Sequence, residues 1–520
     1  MIATSLTACV NGLGHGAVSP GTPSALLPAR VRRLTNVEYE RSVSELLATR
    51  VELANELPPD LRQDGYTRNA AQVLPSETLA RLDALTRPLA HDAAAHRLAK
   101  LVPCAAAAGD SCARELVETL GRRAFRRPIA SAERERLLVA FDAGRADGGG
   151  FAGGAELVLR VLLLSPSFIY TSELGAGGAL GSVITLDPYE IASELSYTVR
   201  GGPPDETLLA AAADGSLLQA RVREREARRL VAENDTRHQF RRFVLEWLEV
   251  DGLEQSAKTD TTLVDYDALK SHMLDETRGF VDEVMVERGG SLRALLTAGF
   301  ASVDAPMARF YGLHGYGAEA SLAGSARLGI LQQASFLAAH AHEDASSPVK
   351  RGDFVMRRLL CQPVKRPGEV GIDIVFPPPA PSTTTRERFD AHTMSTACSG
   401  CHAELDQLGF TFENFDEMGR ARTSEHGQPV RSQAVVRLSN RDVSVADSRE
   451  LSRYLADEPR VSECFARQAF RYFSADAEPG VERSFIDLSR ALPSERAGDL
   501  VEQVVAFVKS ELFVKREVRP

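Results

Sequence analysis

At 520 residues the chain is long enough for three or more domains and for sizeable buried cores. Its 44% hydrophobic and 25% charged content is that of an ordinary globular protein, neither a disordered chain nor a membrane channel. A net charge of -10 argues against nucleic acid, which wants a basic stripe, and leaves an acidic face suited to steering a basic redox partner.

Residues 1–30, rich in Gly, Pro and Ala, read as a flexible leader or lipoprotein tether. Within them Leu6-Thr7-Ala8-Cys9 resembles the lipobox of bacterial lipoproteins, which makes Cys9 a candidate lipid anchor. The segment before it is too short for a full signal peptide and has no Lys or Arg, so either the start lies further upstream or the match is chance. No run approaches the ~18 apolar residues of a membrane span. Helical spacing begins at 36–48, where Val37, Tyr39, Val43, Leu46 and Leu47 recur at three- and four-residue steps. It returns over 115–143, 155–164, 187–199, 219–250, 265–287, 325–340, 351–361, 449–473 and 496–513, and predicts a mainly α protein. Glycine-rich stretches at 148–154, 175–181 and 201–205 interrupt the middle. The run Gly148-Gly149-Gly150 lacks the Lys-Ser or Lys-Thr of a phosphate loop and reads as a linker. Segment 362–385, with Pro377-Pro378-Pro379 and Pro381, reads as an extended spacer. Residues 429–446 have β-type content and predict a short hairpin.

The densest chemistry follows the spacer. Residues 397–402 read Ala-Cys-Ser-Gly-Cys-His, the C-x-x-C-H signature of c-type haem attachment. Two thiols one helical turn apart, Cys398 and Cys401, can each add to a vinyl group of one porphyrin, with His402 beneath the ring as proximal iron ligand. The competing readings are half of a zinc site or a redox dithiol. Zinc wants a second Cys or His pair at short range, and the next candidates are His426 and Cys464. A dithiol wants a strand leading into a helix, whereas 383–396 is polar. Of the other cysteines, Cys104 and Cys112 frame a short loop and can close a small disulfide, and Cys361 and Cys464 are the remaining candidates for pairing. Haem attachment takes place outside the cytoplasmic membrane, so the expected location is the periplasm, or the outer membrane or cell surface as a lipoprotein.

Several motifs occur in a fixed order. They are Arg32-Arg33-Leu34-Thr35-Asn36-Val37-Glu38-Tyr39, Arg122-Arg123-Ala124-Phe125-Arg126-Arg127-Pro128, Ser165-Pro166-Ser167-Phe168-Ile169-Tyr170, and the stretch 186–197 with Trp247 and Phe310-Tyr311-Gly312. After them come Arg327 to Leu331, Ser346-Ser347-Pro348-Val349-Lys350-Arg351-Gly352, the C-x-x-C-H site, and Leu408 to Asp416. Over 31–515 the chain resembles the planctomycete and myxobacterial multidomain cytochrome c family, in which helical modules precede a planctomycete-type cytochrome c module. The resemblance implies haem and export. The corresponding modules are 31–100, 104–175, 184–315, a cytochrome module at 325–425 containing the spacer, and a C-terminal helical module at 430–515. Two departures stand out: Asp406-Gln407 where the family has Asp-Pro, which would loosen a turn after the haem helix, and Met418 where it tends to have a branched aliphatic residue.

The residue opposite His402 decides function, since a strong sixth ligand makes an electron carrier and an open site binds small ligands. His392 is the favoured distal ligand, because the resemblance includes a histidine at that offset. Met418 is the alternative, and His340 and His342 come third. Arg422, with Lys350, Arg351 and Arg420, is a candidate to clamp haem propionates, the competing role being ion pairing with Glu413 or Asp416. Glu343 and Asp344 beside His340 and His342 form either an acid/base cluster or a solvated loop. The expectation is an exported monohaem carrier with a redox partner protein. The alternatives are a haem peroxidase or oxidase with an open distal site, and an extracellular binding protein with structural haem. No catalytic residue is assigned, and the substrate is left open.

Overall fold

Thr35 opens the helix Asn36–Leu46 with a capping box, its hydroxyl accepting from the Glu38 amide while Glu38 accepts from the Thr35 amide at 2.9 Å. Glu38 is buried and also pairs with Arg32 at 2.7 Å and Arg68 at 3.1 Å, so one carboxylate joins the first strand, the first helix and the following loop. The computed structural model describes residues 25–519 except 107–108, 234–236, 260–264, 288, 365–381, 394–395, 494 and 497, with backbone alone at 106, 237, 286–287, 391–393 and 396–401. Cys9 and the Pro-rich stretch of the spacer lie outside the described residues.

The chain is mainly α, as its periodicity predicts, and its helices gather on two apolar cores. Around the first, Asp110–Phe125, Ser131–Gly144 and Gly150–Leu163 bury Leu116, Leu120, Phe141, Leu159 and Leu162, and Tyr39 donates to the Leu163 carbonyl at 3.0 Å. The glycine run 148–154 is only partly a linker. Helix Gly150–Leu163 begins inside it, because a Cβ at Gly154 would meet Phe141 at 2.8 Å and only glycine lets the two helices close.

The second core takes in Leu27 and Tyr66 and then residues from Leu186 to Val514, among them Trp247, Phe336, Phe354, Phe412, Phe465, Phe470 and Phe507. The segments 184–315, 325–425 and 430–515 therefore share one interior. Trp247 shows the reason: its indole donates to the Arg358 carbonyl at 3.2 Å and packs on Phe354 and Phe465, so one ring needs three segments. Arg327 makes a similar joint, stacked on Tyr311 at 3.5 Å and donating to the carbonyls of Gln332 and Gly419.

The described strands form two-stranded antiparallel pairs. The hairpin expected at 429–446 is Ala434–Leu438 with Arg441–Val445, turned by Ser439 and Asn440, both at positive φ as a tight two-residue hairpin requires. Strand Lys515–Glu517 pairs with Val183–Thr185, and Glu517 also bonds Leu27 and Ala29. Residues 25–30, read above as the end of a flexible leader, are thus packed, and Leu27 is fully buried. Arg30 and Arg516 converge on the buried carboxylate of Glu173. Disulfides join Cys104 to Cys112 and Cys361 to Cys464. Among the described residues no helix is long and apolar enough to cross a membrane.

Candidate functional site

Helix Thr396–Phe410 carries Cys398, Cys401 and His402, positions three and four residues apart and so on one side of the helix. The side chains of Cys398, Cys401 and His392 lie outside the described residues; His392 belongs to the preceding helix, Thr385–Thr393. The described geometry begins at His402, whose Nδ1 lies 2.9 Å from Oδ1 of Asp406, one turn on. Asp406 is buried and the His402 side chain is 19% exposed. The hydrogen bond raises the imidazole pKa, against the effect of burial. A carboxylate bonded to Nδ1 orients the ring, the arrangement that fixes histidine ligands toward a metal. Sequence reading treated Asp406 only as part of a departure from a family pattern, although His-x-x-x-Asp on a helix is itself a signal.

Two glycines fix the backbone under this pair. A Cβ at Gly352 would lie 2.0 Å from the Leu405 carbonyl oxygen, and one at Gly409 would lie 1.9 Å from that of Pro348. Helix Pro348–Phe354 therefore crosses Thr396–Phe410 in backbone contact, which explains both glycine positions of the motifs. Ser347 caps the crossing helix by accepting from the Lys350 amide at 3.3 Å, and Pro348 occupies its first turn. Arg351, fully buried, donates to the carbonyls of Leu337, Phe412, Phe415 and Asp416. It ties the loop after the C-x-x-C-H helix to the helices before it.

Several expectations change at this point. Helix Thr396–Phe410 runs unbroken through Asp406-Gln407, so there is no turn there to loosen; the Gln407 side chain instead accepts from the Val435 amide at 3.4 Å. Arg422 makes the ion pairs of the competing role: it donates from Nη2 to Glu413 and Ser346 at 2.9 Å each and from Nε to the Glu413 carbonyl, while Nη1 pairs with Glu425 at 3.1 Å. Burial pushes the Glu413 pKa up while Arg422 and Arg351 oppose it. Arg420 pairs with Asp416 at 2.6 Å. Met418 is fully buried in the second core, in a turn whose Gly419 packs on Ala334.

His340 is a core histidine. Its Nε2 bonds the Leu248 carbonyl at 2.8 Å, its ring packs on Phe336 and Phe354, and burial lowers its pKa to about 4. His342 faces the other way and lines a cavity of about 670 Å³ together with Lys258 and Lys350. Glu343 and Asp344 are exposed at that cavity and form the solvated loop of the two readings.

Four family models match the chain, each described as a protein of unknown function. In chain order they are PSD3 (DUF1587) over 32–95, PSD5 (DUF1595) over 112–173, PSD4 (DUF1592) over 186–313 and PSCyt3 (DUF1588) over 327–425. These are domains of the planctomycete cytochrome-type multidomain family, and the His402 site lies in the one with the cytochrome label. No curated protein and no solved structure matches the chain.

Proposed function

We propose that the protein is an exported monohaem c-type cytochrome that attaches haem through Cys398 and Cys401, ligates it with His402, and passes single electrons to a partner protein. The observation that carries the reading is His402 held at Nδ1 by the buried Asp406, on the helix that also bears both thiols at the attachment spacing. The donor set fits the group, offering two cysteines for the vinyl groups and an imidazole oriented by Asp406 for iron. When bound, haem supplies a one-electron centre with a potential set by its second ligand and surroundings. The chain supplies the orientation of His402, the glycine-fitted helix crossing beneath it, and His392 on the adjoining helix as distal ligand. Two disulfides favour an oxidising compartment and therefore export.

Visible spectra of purified holoprotein test the carrier role. The expected result is a low-spin spectrum in both oxidation states that is indifferent to carbon monoxide. A high-spin spectrum with rapid carbon monoxide binding would replace this reading with that of a haem enzyme. His392→Ala is expected to convert the iron to high spin, while Met418→Leu leaves the spectrum unchanged; the reverse pattern would transfer the distal role to Met418.

A further inference from the structure

The cavity beside His342 lies where the loop 255–259 of the third helical segment meets residues 338–350 of the segment leading to the C-x-x-C-H helix. Two ammonium groups are held at its wall by backbone oxygens. Lys258 Nζ donates to the carbonyls of Ala338 at 3.0 Å and His342 at 2.8 Å, and Lys350 Nζ donates to that of Ala341 at 2.8 Å. Among the described residues neither ammonium has a carboxylate within 4 Å. Carbonyl dipoles orient an ammonium without neutralising it, and of the six N–H donors an ammonium pair carries, three are left for a ligand. Burial lowers the pKa of Lys258 to about 8, with the nearby charges of Arg351 and Lys350 adding to the effect, and burial lowers that of Lys350 as well. Positive charge at the half-buried Lys258 is therefore costly until an anion arrives, with Glu417 and Asp416 offsetting only part of the cost, while Glu343 offsets it at Lys350.

We propose that Lys258 and Lys350 form a carboxylate-binding site in this cavity. The lining selects the class. Ala257 and Ala339 line it as small apolar residues, and the exposed carboxylates of Glu343 and Asp344 repel a doubly charged anion such as phosphate more strongly than a singly charged carboxylate. The site adjoins the helix that carries the C-x-x-C-H sequence. Lys350 lies in the first turn of Pro348–Phe354, in backbone contact with the C-x-x-C-H helix, and His342 feels the charge of Arg388, which lies one turn before His392 on Thr385–Thr393. The carboxylate is either a haem propionate, in which case the site rests on the haem reading above, or that of a diffusible organic acid, in which case it stands without it.

The test uses full-length protein made in a host with haem-maturation machinery, as wild type, Lys350→Met, Lys350→Arg and the double variant Lys258→Met/Lys350→Met. A haem-stained denaturing gel reads the haem assignment separately. Two outcomes support the site. In the first, sodium propionate binds wild type saturably by calorimetry, phosphate does not, and affinity falls at least tenfold in the methionine variants. In the second, added propionate does not bind, but the haem midpoint potential drops in the methionine variants and is restored by Lys350→Arg, which places a haem propionate there. Lys350 is exposed, so the single variant decides if the double variant does not fold. If propionate does not bind and the potential is unchanged, or if phosphate binds as tightly as propionate, the proposal is overturned. In protein without haem, the propionate titration alone decides.

Discussion

His402 and His340 lie in the same module, but Asp406 raises the pKa of the first and burial lowers that of the second to about 4. The two therefore act on stability in opposite directions. A histidine with a raised folded pKa contributes fully below its unfolded value near 6.5 and loses the contribution as pH rises through the folded value. In haem-free protein, Asp406→Asn should destabilise by about 1 kcal/mol near pH 5.5 and by less at pH 9. Urea titrations at the two pH values check this, and equal losses at both would contradict it. His340 is held neutral, so its contribution is present above about 6.5 and is lost as pH falls toward 4. A displacement of that size corresponds to about 3 kcal/mol. Wild type should lose more stability between pH 7 and pH 4 than His340→Gln does, as measured by denaturant midpoints; parallel losses would show that His340 is not kept neutral by the core. The C-x-x-C-H pentad was legible at this scale because its chemistry lies in one turn of chain. The bond from Arg422 to Ser346 was not, since the two lie 76 residues apart.

At the scale of elements, the sequence periodicity located most helices, and the β-type stretch at 429–446 became a hairpin with its turn at Ser439-Asn440. What spacing did not disclose is how closely the helices meet. Gly352 and Gly409 read as parts of motifs, yet each sits against the backbone of the other's helix, a fact of tertiary contact that leaves no periodic trace. The same holds for Gly154 against Phe141, where a linker reading was the natural one. Because carbonyl oxygens rather than flexible side chains oppose the missing Cβ atoms, Gly409→Ala must separate the two helices. The expected cost is about 3 kcal/mol, with reduced haem retention, since the contact lies one turn from Asp406. Chemical denaturation of wild type and variant measures it, and a loss below about 0.5 kcal/mol, the range of surface substitutions, would show that the crossing is not tightly packed.

Across the whole molecule, the modules implied by the resemblance are not separate bodies. One core takes in Leu27, Tyr66 and residues from Leu186 to Val514, and the first and last described segments meet where Glu517 bonds Leu27 and Ala29 and where Arg30 and Arg516 share Glu173. The Cys361–Cys464 disulfide fastens the segment just before the spacer to helix Pro459–Phe473, so the C-x-x-C-H helix is reached from an anchored point on either side. Cysteine counting anticipated that pair, but not the shared core, which depends on which amphipathic faces find each other. The central claim is what the site on helix Thr396–Phe410 holds. The most direct measurement is the intact mass, under denaturing conditions, of wild type and of Cys398→Ala/Cys401→Ala, both produced with haem-maturation machinery. The account predicts one covalently retained haem on wild type and none on the variant. A wild-type mass equal to that of the polypeptide alone, or a haem that stays on the double variant, would contradict it.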